Sequence, residues 1–206
     1  MATAATIPVR MSVGEFLAWN PADGQTWQLV DGEPRAMAPA SRAHGTLQGE
    51  LGGLIRNHLA AQDGPCVLVV TPGVVPHVQA SHNMRIPDLA VTCSEYEVEE
   101  AGLTDPVLIV EILSPSDQAE TWANVWAYTT IPSVQEILVL RSTSVGADVL
   151  RRRADGTWPR EPQSITDGEL ILRSIGFRMP LAQVYRTTRL RRPPGAQGHD
   201  VPPAGR

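Results

Sequence analysis

The chain contains no lysine: all 17 residues in the Lys+Arg count are arginine. Its permanent cations are therefore guanidinium groups, which cannot give up a proton and act only electrostatically. Cysteine is scarce too, with Cys66 and Cys93 alone, and both stand in strand-like apolar runs. They read as small buried hydrophobes kept reduced, rather than as a disulfide or a zinc site. Long hydrophobic runs are missing. Val67-Leu-Val-Val70 and Val107-Leu-Ile-Val110 are strand-sized, far short of the roughly 20 residues that a membrane span needs. The start, Met1-Ala-Thr-Ala-Ala-Thr-Ile-Pro, lacks the charged head and long apolar block of a signal peptide. These absences predict a cytoplasmic protein with no membrane partner.

What is present suits one globular domain. With 206 residues, 42% hydrophobic and 19% charged, the chain can bury a real core. The expected organisation is a flexible N-terminus over 1–10, a domain over 11–188 and a disordered Arg, Pro and Gly-rich tail over 189–206. The net charge of −5 hides a division: residues 1–140 carry 5 Arg against 16 acids, residues 141–206 carry 12 Arg against 6. A basic C-terminal side could attract phosphate; solvated charges beside a frayed tail explain it equally well.

Short helices and strands alternate. Ser12 caps a helix from Val13 to Trp19, and Asp31-Gly32 between Thr26–Val30 and Glu33–Met37 is a strong hairpin signal. Leu47, Leu51, Leu54, Ile55 and Leu59 recur at helical spacing within 44–62. Cys66–Val75, Ile86–Thr92 and Val107–Leu113 are β-rich, as are Glu136–Arg141, Ala147–Arg153 and Glu169–Arg173. Ala119–Thr130 and Leu181–Tyr185 read as helices. Trp122 and Trp126 share the apolar face of the first of these, which favours core packing over base stacking.

Two carboxylates interrupt the apolar runs, in Arg85-Ile-Pro-Asp88-Leu-Ala-Val-Thr and Pro106-Val-Leu-Ile-Val-Glu111-Ile-Leu. A lone acid in such a run is costly to bury, so it needs a partner charge, a metal ion or a strand end reaching water. Two of them, one element apart, suggest a shared cation.

The ordered set Trp27-Gln28-Leu-Val-Asp31-Gly32-Glu33, His44, Pro87-Asp88, Ile109-Val-Glu111-Ile-Leu-Ser114-Pro115-Ser116, Tyr128 and Pro132-Ser133-Val-Gln-Glu136 resembles the Uma-type restriction endonucleases of the PD-(D/E)XK nuclease superfamily. The resemblance runs from about residue 11 to about residue 186. It implies an α/β fold of the α+β kind, a restriction-endonuclease-like mixed sheet flanked by helices, with an N-terminal helix and β-hairpin. It further implies a Mg²⁺- or Mn²⁺-dependent endonuclease acting on DNA. Asp88 and Glu111 would be metal ligands with the Ile112 carbonyl, since a hard cation takes oxygen ligands and keeps water. His44 matches a family histidine and would orient a water or a phosphate; a helix-cap role accounts for it as well. A homodimer is implied by cutting both strands of a duplex.

Two positions depart from the family pattern. Gln28 replaces a glutamate, and Asn124 stands where a lysine normally follows Ser-Pro-Ser, four residues before the tyrosine. At i, i+4 spacing, Glu120, Asn124 and Tyr128 share a helix stripe, so Asn124 faces the lysine's place without its charge. Arg85 and Arg42 are candidates to restore that charge, although a surface ion pair is the simpler reading of both. The alternative function is a catalytically impaired member of the fold that binds DNA or a protein.

Overall fold

The computed structural model describes residues 10–19, 21, 24–95, 97 and 101–191. The expected N-terminus over 1–10 and tail over 189–206 fall mostly outside these; Arg189–Arg191 forms a 3-10 turn.

Helix α1, Val13–Ala18, begins in a reciprocal cap: Ser12 accepts from the Glu15 amide while Glu15 accepts from the Ser12 amide. Strands β1, Trp27–Val30, and β2, Glu33–Ala36, pair antiparallel with Val30 opposite Glu33. Both turn residues have positive φ, 51° at Asp31 and 86° at Gly32, the combination that matches the twist of a two-residue hairpin. Helix α2, Arg42–Ala61, is capped by Ser41 and buries Leu47, Leu51, Ile55 and Leu59, the face that the three-and-four spacing predicts.

Six strands form the main sheet in the order β3-β4-β5-β6-β7-β8. They are β3 (Val67–Val70), β4 (Leu89–Thr92), β5 (Pro106–Leu113), β6 (Glu136–Arg141), β7 (Ala147–Arg151) and β8 (Gln163–Ile165). Only β5 and β6 run parallel; a parallel pair needs a crossover, and helix α3, Gln118–Tyr128, provides it. Strands β9 (Glu169–Leu172) and β10 (Phe177–Pro180) form a separate hairpin before α4 (Leu181–Val184). Alternation along β5 sends Leu108, Val110 and Ile112 into the core shared with α2, and Ile109 into the core shared with Val125 and Tyr128 of α3. Glu111 follows Ile109 on the α3 side.

Three expectations need correction. The cysteines are neither free nor fully buried: Cys66 and Cys93 form a disulfide across the ends of β3 and β4. Val67 pairs with Thr92, so the next residues outward stand side by side, a proximity that antiparallel register creates and sequence spacing hides. Trp126 is exposed at 41%, because Asn124, Val125, Ala127 and Tyr128 take the inner face of α3. Strands β8 and β10 escape sequence reading because Gln-Ser-Ile is short and polar and Phe-Arg-Met-Pro contains a proline.

The crosslink closes a loop with sequence separation 27. The Cys66→Ser/Cys93→Ser chain is expected to lose up to about 3.5 kcal/mol of stability by loop-closure entropy. Urea unfolding of oxidised, reduced and mutant chains checks this; equal midpoints in all three would rule out the bond as a stabilising element.

Candidate active site

The carboxylate pair is built where β4 begins. Leu89 pairs with Val110, and continuing the antiparallel register by one residue sets Asp88 opposite Glu111. Pro87 has no N–H to extend the ladder. The Ile112 amide instead donates to Asp88 Oδ2 at 2.7 Å, while His44 Nε2, in the first turn of α2, bonds to Asp88 Oδ1 at 2.6 Å. Gln48, one turn further along α2, donates to the Asp88 carbonyl. Among the described residues His44 Nδ1 has no hydrogen-bond partner, although it is buried.

Glu111 is fixed from the other side: the Tyr128 hydroxyl donates to its Oε1 at 2.8 Å. Asp88 and Glu111 are 8% and 7% exposed. Burial first, and the Asp88 charge second, hold the Glu111 carboxyl well above its usual range, although the Tyr128 hydrogen bond works the other way. Two acids have been brought together where their negative charges repel and water is scarce. Burial and the Glu111 charge likewise push the Tyr128 hydroxyl up, so it remains a donor.

The two departing residues form a second, adjoining network. Bridging between Leu29 and Met84 joins the β1–β2 hairpin to the segment that leads to Asp88, and this brings Gln28 against α3. Gln28 Nε2 donates to Glu120 Oε1 at 2.7 Å, and Asn124 Nδ2 donates to Gln28 Oε1 at 3.4 Å. Arg85 Nη1 donates to Asn124 Oδ1 at 3.1 Å, and Nη2 to Asn83 Oδ1 at 3.0 Å. The amides thus lie in line from a cation to an anion, each oxygen facing the positive end. The Glu120, Asn124 and Tyr128 stripe is as expected. Arg85 is not in a surface ion pair: it is 6% exposed, with neutral amides as its hydrogen-bond partners. Burial pulls its pKa down, whereas Tyr128, Asp31 and Glu120 pull it up. Only the structure reveals Asn83 as a site residue; it also ties Arg85 to the hairpin turn through Asp31.

All six expected site residues, Gln28, His44, Asp88, Glu111, Ile112 and Asn124, therefore lie in two neighbouring networks. Among the described residues no group of three His, Cys, Asp and Glu side chains has the form of a metal cage. Part of the arginine-rich C-terminal region is engaged in structure. Arg141, Arg151, Arg178 and Arg186 pair with Asp148, Glu136, Glu169 and Glu50, and Arg152 caps the carbonyls of Thr129, Ile131 and Pro132. Counting arginines overstates the positive charge left for a partner.

A mixed sheet with a parallel central pair, helices on both faces and two acids set opposite each other, one before β4 and one within β5, defines a restriction-endonuclease-like fold. A crystal structure of a "putative nuclease" of the DUF820 family from Anabaena variabilis has this fold, with TM-score 0.68 and 17% identity over 85% of this chain and 98% of that one. The chain belongs to the Uma2 family, described as "Putative restriction endonuclease", whose profile matches residues 13–182. An uncharacterized protein of Synechocystis sp. is 30% identical over 179 residues, 86% of this chain and 92% of that protein. Among the described residues no helix is long and apolar enough to cross a membrane.

Proposed function

We propose that the chain is a Mg²⁺- or Mn²⁺-dependent DNA endonuclease of the PD-(D/E)XK type. The observation that carries this reading is the buried Asp88–Glu111 pair, whose mutual repulsion a divalent cation would relieve. The donor set suits a hard cation: Asp88, Glu111 and the Ile112 carbonyl are oxygen ligands, leaving positions for water and a phosphate oxygen. When bound, the cation would lower the pKa of a water and neutralise charge on the phosphate.

The chain's own residues orient these groups. The Ile112 amide and His44 fix both oxygens of Asp88, and the Tyr128 hydroxyl fixes Glu111, so little reorganisation is needed when the cation arrives. DNA is the partner, a homodimer would set two such sites on opposite strands, and the compartment is the cytoplasm.

Supercoiled plasmid is expected to be nicked in Mg²⁺ or Mn²⁺ and left intact after chelation with EDTA. Calorimetric titration is expected to show Mn²⁺ binding at millimolar concentration or below. Absence of both nicking and binding would rule out the metal-dependent reading. Asn124 in place of lysine favours a second reading, a DNA-binding member without turnover, which predicts metal and DNA binding with no nicked product.

A further inference from the structure

Arg85 is the one buried charge beside the carboxylate pair that the scheme above leaves unused. Among the described residues no carboxylate stands within ion-pair distance of it, and its Nε is buried without a hydrogen-bond partner. Two neutral amides are a poor exchange for water around a guanidinium. Burying a guanidinium is costly when its countercharges are not in direct contact: Asp31 and Glu120 act on Arg85 through intervening amides, so an arriving anion would meet a cation with no direct ion pair among the described residues. Its position suits that arrival. Arg85, Asp88 and Glu111 all act electrostatically on the Tyr128 hydroxyl, which bonds Glu111, and Asn124, on which Arg85 rests, lies one turn before Tyr128 on α3. Asn124 itself supplies no positive charge: its oxygen accepts from Arg85 and one of its N–H groups donates to Gln28.

We propose that Arg85, held by Asn83 and Asn124, supplies the positive charge that a lysine at position 124 would supply, and stabilises charge building on the phosphate oxygens. The role rests on the nuclease reading. In hydrolysis the water oxygen bonds to phosphorus, and the bond from phosphorus to the leaving sugar oxygen breaks with its electron pair. The water loses a proton to solvent and the leaving oxygen gains one. Arg85 exchanges no proton and contributes only field, so its loss should appear in kcat more than in KM.

The test moves the charge. Plasmid nicking with Mn²⁺ is measured for the natural chain, Arg85→Gln, Asn124→Lys and the double variant, with circular dichroism melts for folding. Arg85→Gln is expected to lose roughly a hundredfold to a thousandfold in kcat, the scale of one transition-state donor. Asn124→Lys should then recover most of that loss in the double variant, yet slow the natural chain, where it sets an ammonium against the guanidinium. An Arg85→Gln chain nicking at the natural rate, or a folded double variant no faster than Arg85→Gln, would overturn the proposal while leaving the nuclease reading intact. Should Arg85→Gln fail to fold, the natural background decides alone: a hundredfold gain from Asn124→Lys there would show that Arg85 supplies no such charge. No nicking by any folded chain would mark failure of the nuclease reading itself, and the role of Arg85 would fall with it.

Discussion

Asp88→Ala is expected to remove plasmid nicking, by at least about a thousandfold, and to weaken Mn²⁺ binding in the same preparation. The lower bound follows from the loss of a single charge-stabilising donor, which costs roughly a hundredfold to a thousandfold; a direct ligand should cost at least the upper end. The substitution also removes the group that organises this end of the sheet. The Ile112 amide and His44 Nε2 would both lose their acceptor, and each buried donor left unsatisfied costs about 1–3 kcal/mol. Lost nicking must therefore be separated from lost folding. Asp88→Asn retains an oxygen for the Ile112 amide and nearly the same volume, so it should melt closer to the natural chain while remaining as inactive. Nicking by either variant at more than about a tenth of the natural rate would move the active site away from this pair.

Glu111→Gln is expected to change how stability depends on pH. Glu111 holds its proton more tightly in the folded chain than in the unfolded one, because burial and the Asp88 charge both oppose ionisation. Between the ordinary value of 4.5 and the raised folded value, the folded chain thus carries more protons. Stability falls as pH rises through that window, at up to about 1.4 kcal/mol per pH unit. The direction is opposite to that of a salt-bridged carboxylate, whose stabilisation is lost on acidification. Glutamine has no proton to lose, so the metal-free Glu111→Gln chain should melt higher than the natural chain at neutral pH, by roughly 2–4 °C for each kcal/mol relieved. The two should converge toward acid. Millimolar Mg²⁺ should raise the natural melting temperature at neutral pH and leave Glu111→Gln nearly unmoved. Parallel melting curves across pH, with and without Mg²⁺, would show that the carboxylate pair stores no such repulsion.

Much of the framework is legible before any coordinates. Ser12 with Glu15, Asp31-Gly32 and the Leu47, Leu51, Ile55 and Leu59 series are local signals, because caps, two-residue turns and helix faces are set by neighbours within a few positions. The Glu120, Asn124 and Tyr128 stripe belongs to the same kind. Reading fails where partners are distant in sequence. Arg85 resembles a surface charge until Asn124, 39 residues away, is folded against it. Cys66 and Cys93 resemble two separate small hydrophobes until antiparallel pairing makes them neighbours. The arginines after residue 140 fit a basic surface and solvated tail charges equally well until Asp148, Glu136, Glu169 and Glu50 are found paired with four of them.

By itself, then, the sequence determined the family, the strand and helix pattern, the two acids in apolar runs and the absence of any lysine to serve them. Periodicity and residue type are enough for that, since each element chooses its buried face locally. Tertiary structure alone decided which groups the acids and the residue at position 124 meet. Strand register sets Asp88 opposite Glu111, the docked hairpin brings Gln28 to Glu120 and Asn124, and burial leaves Arg85 on two neutral amides with no direct ion pair among the described residues. Such relations depend on which surfaces exclude water together, and that is fixed only when segments far apart in the chain pack against one another.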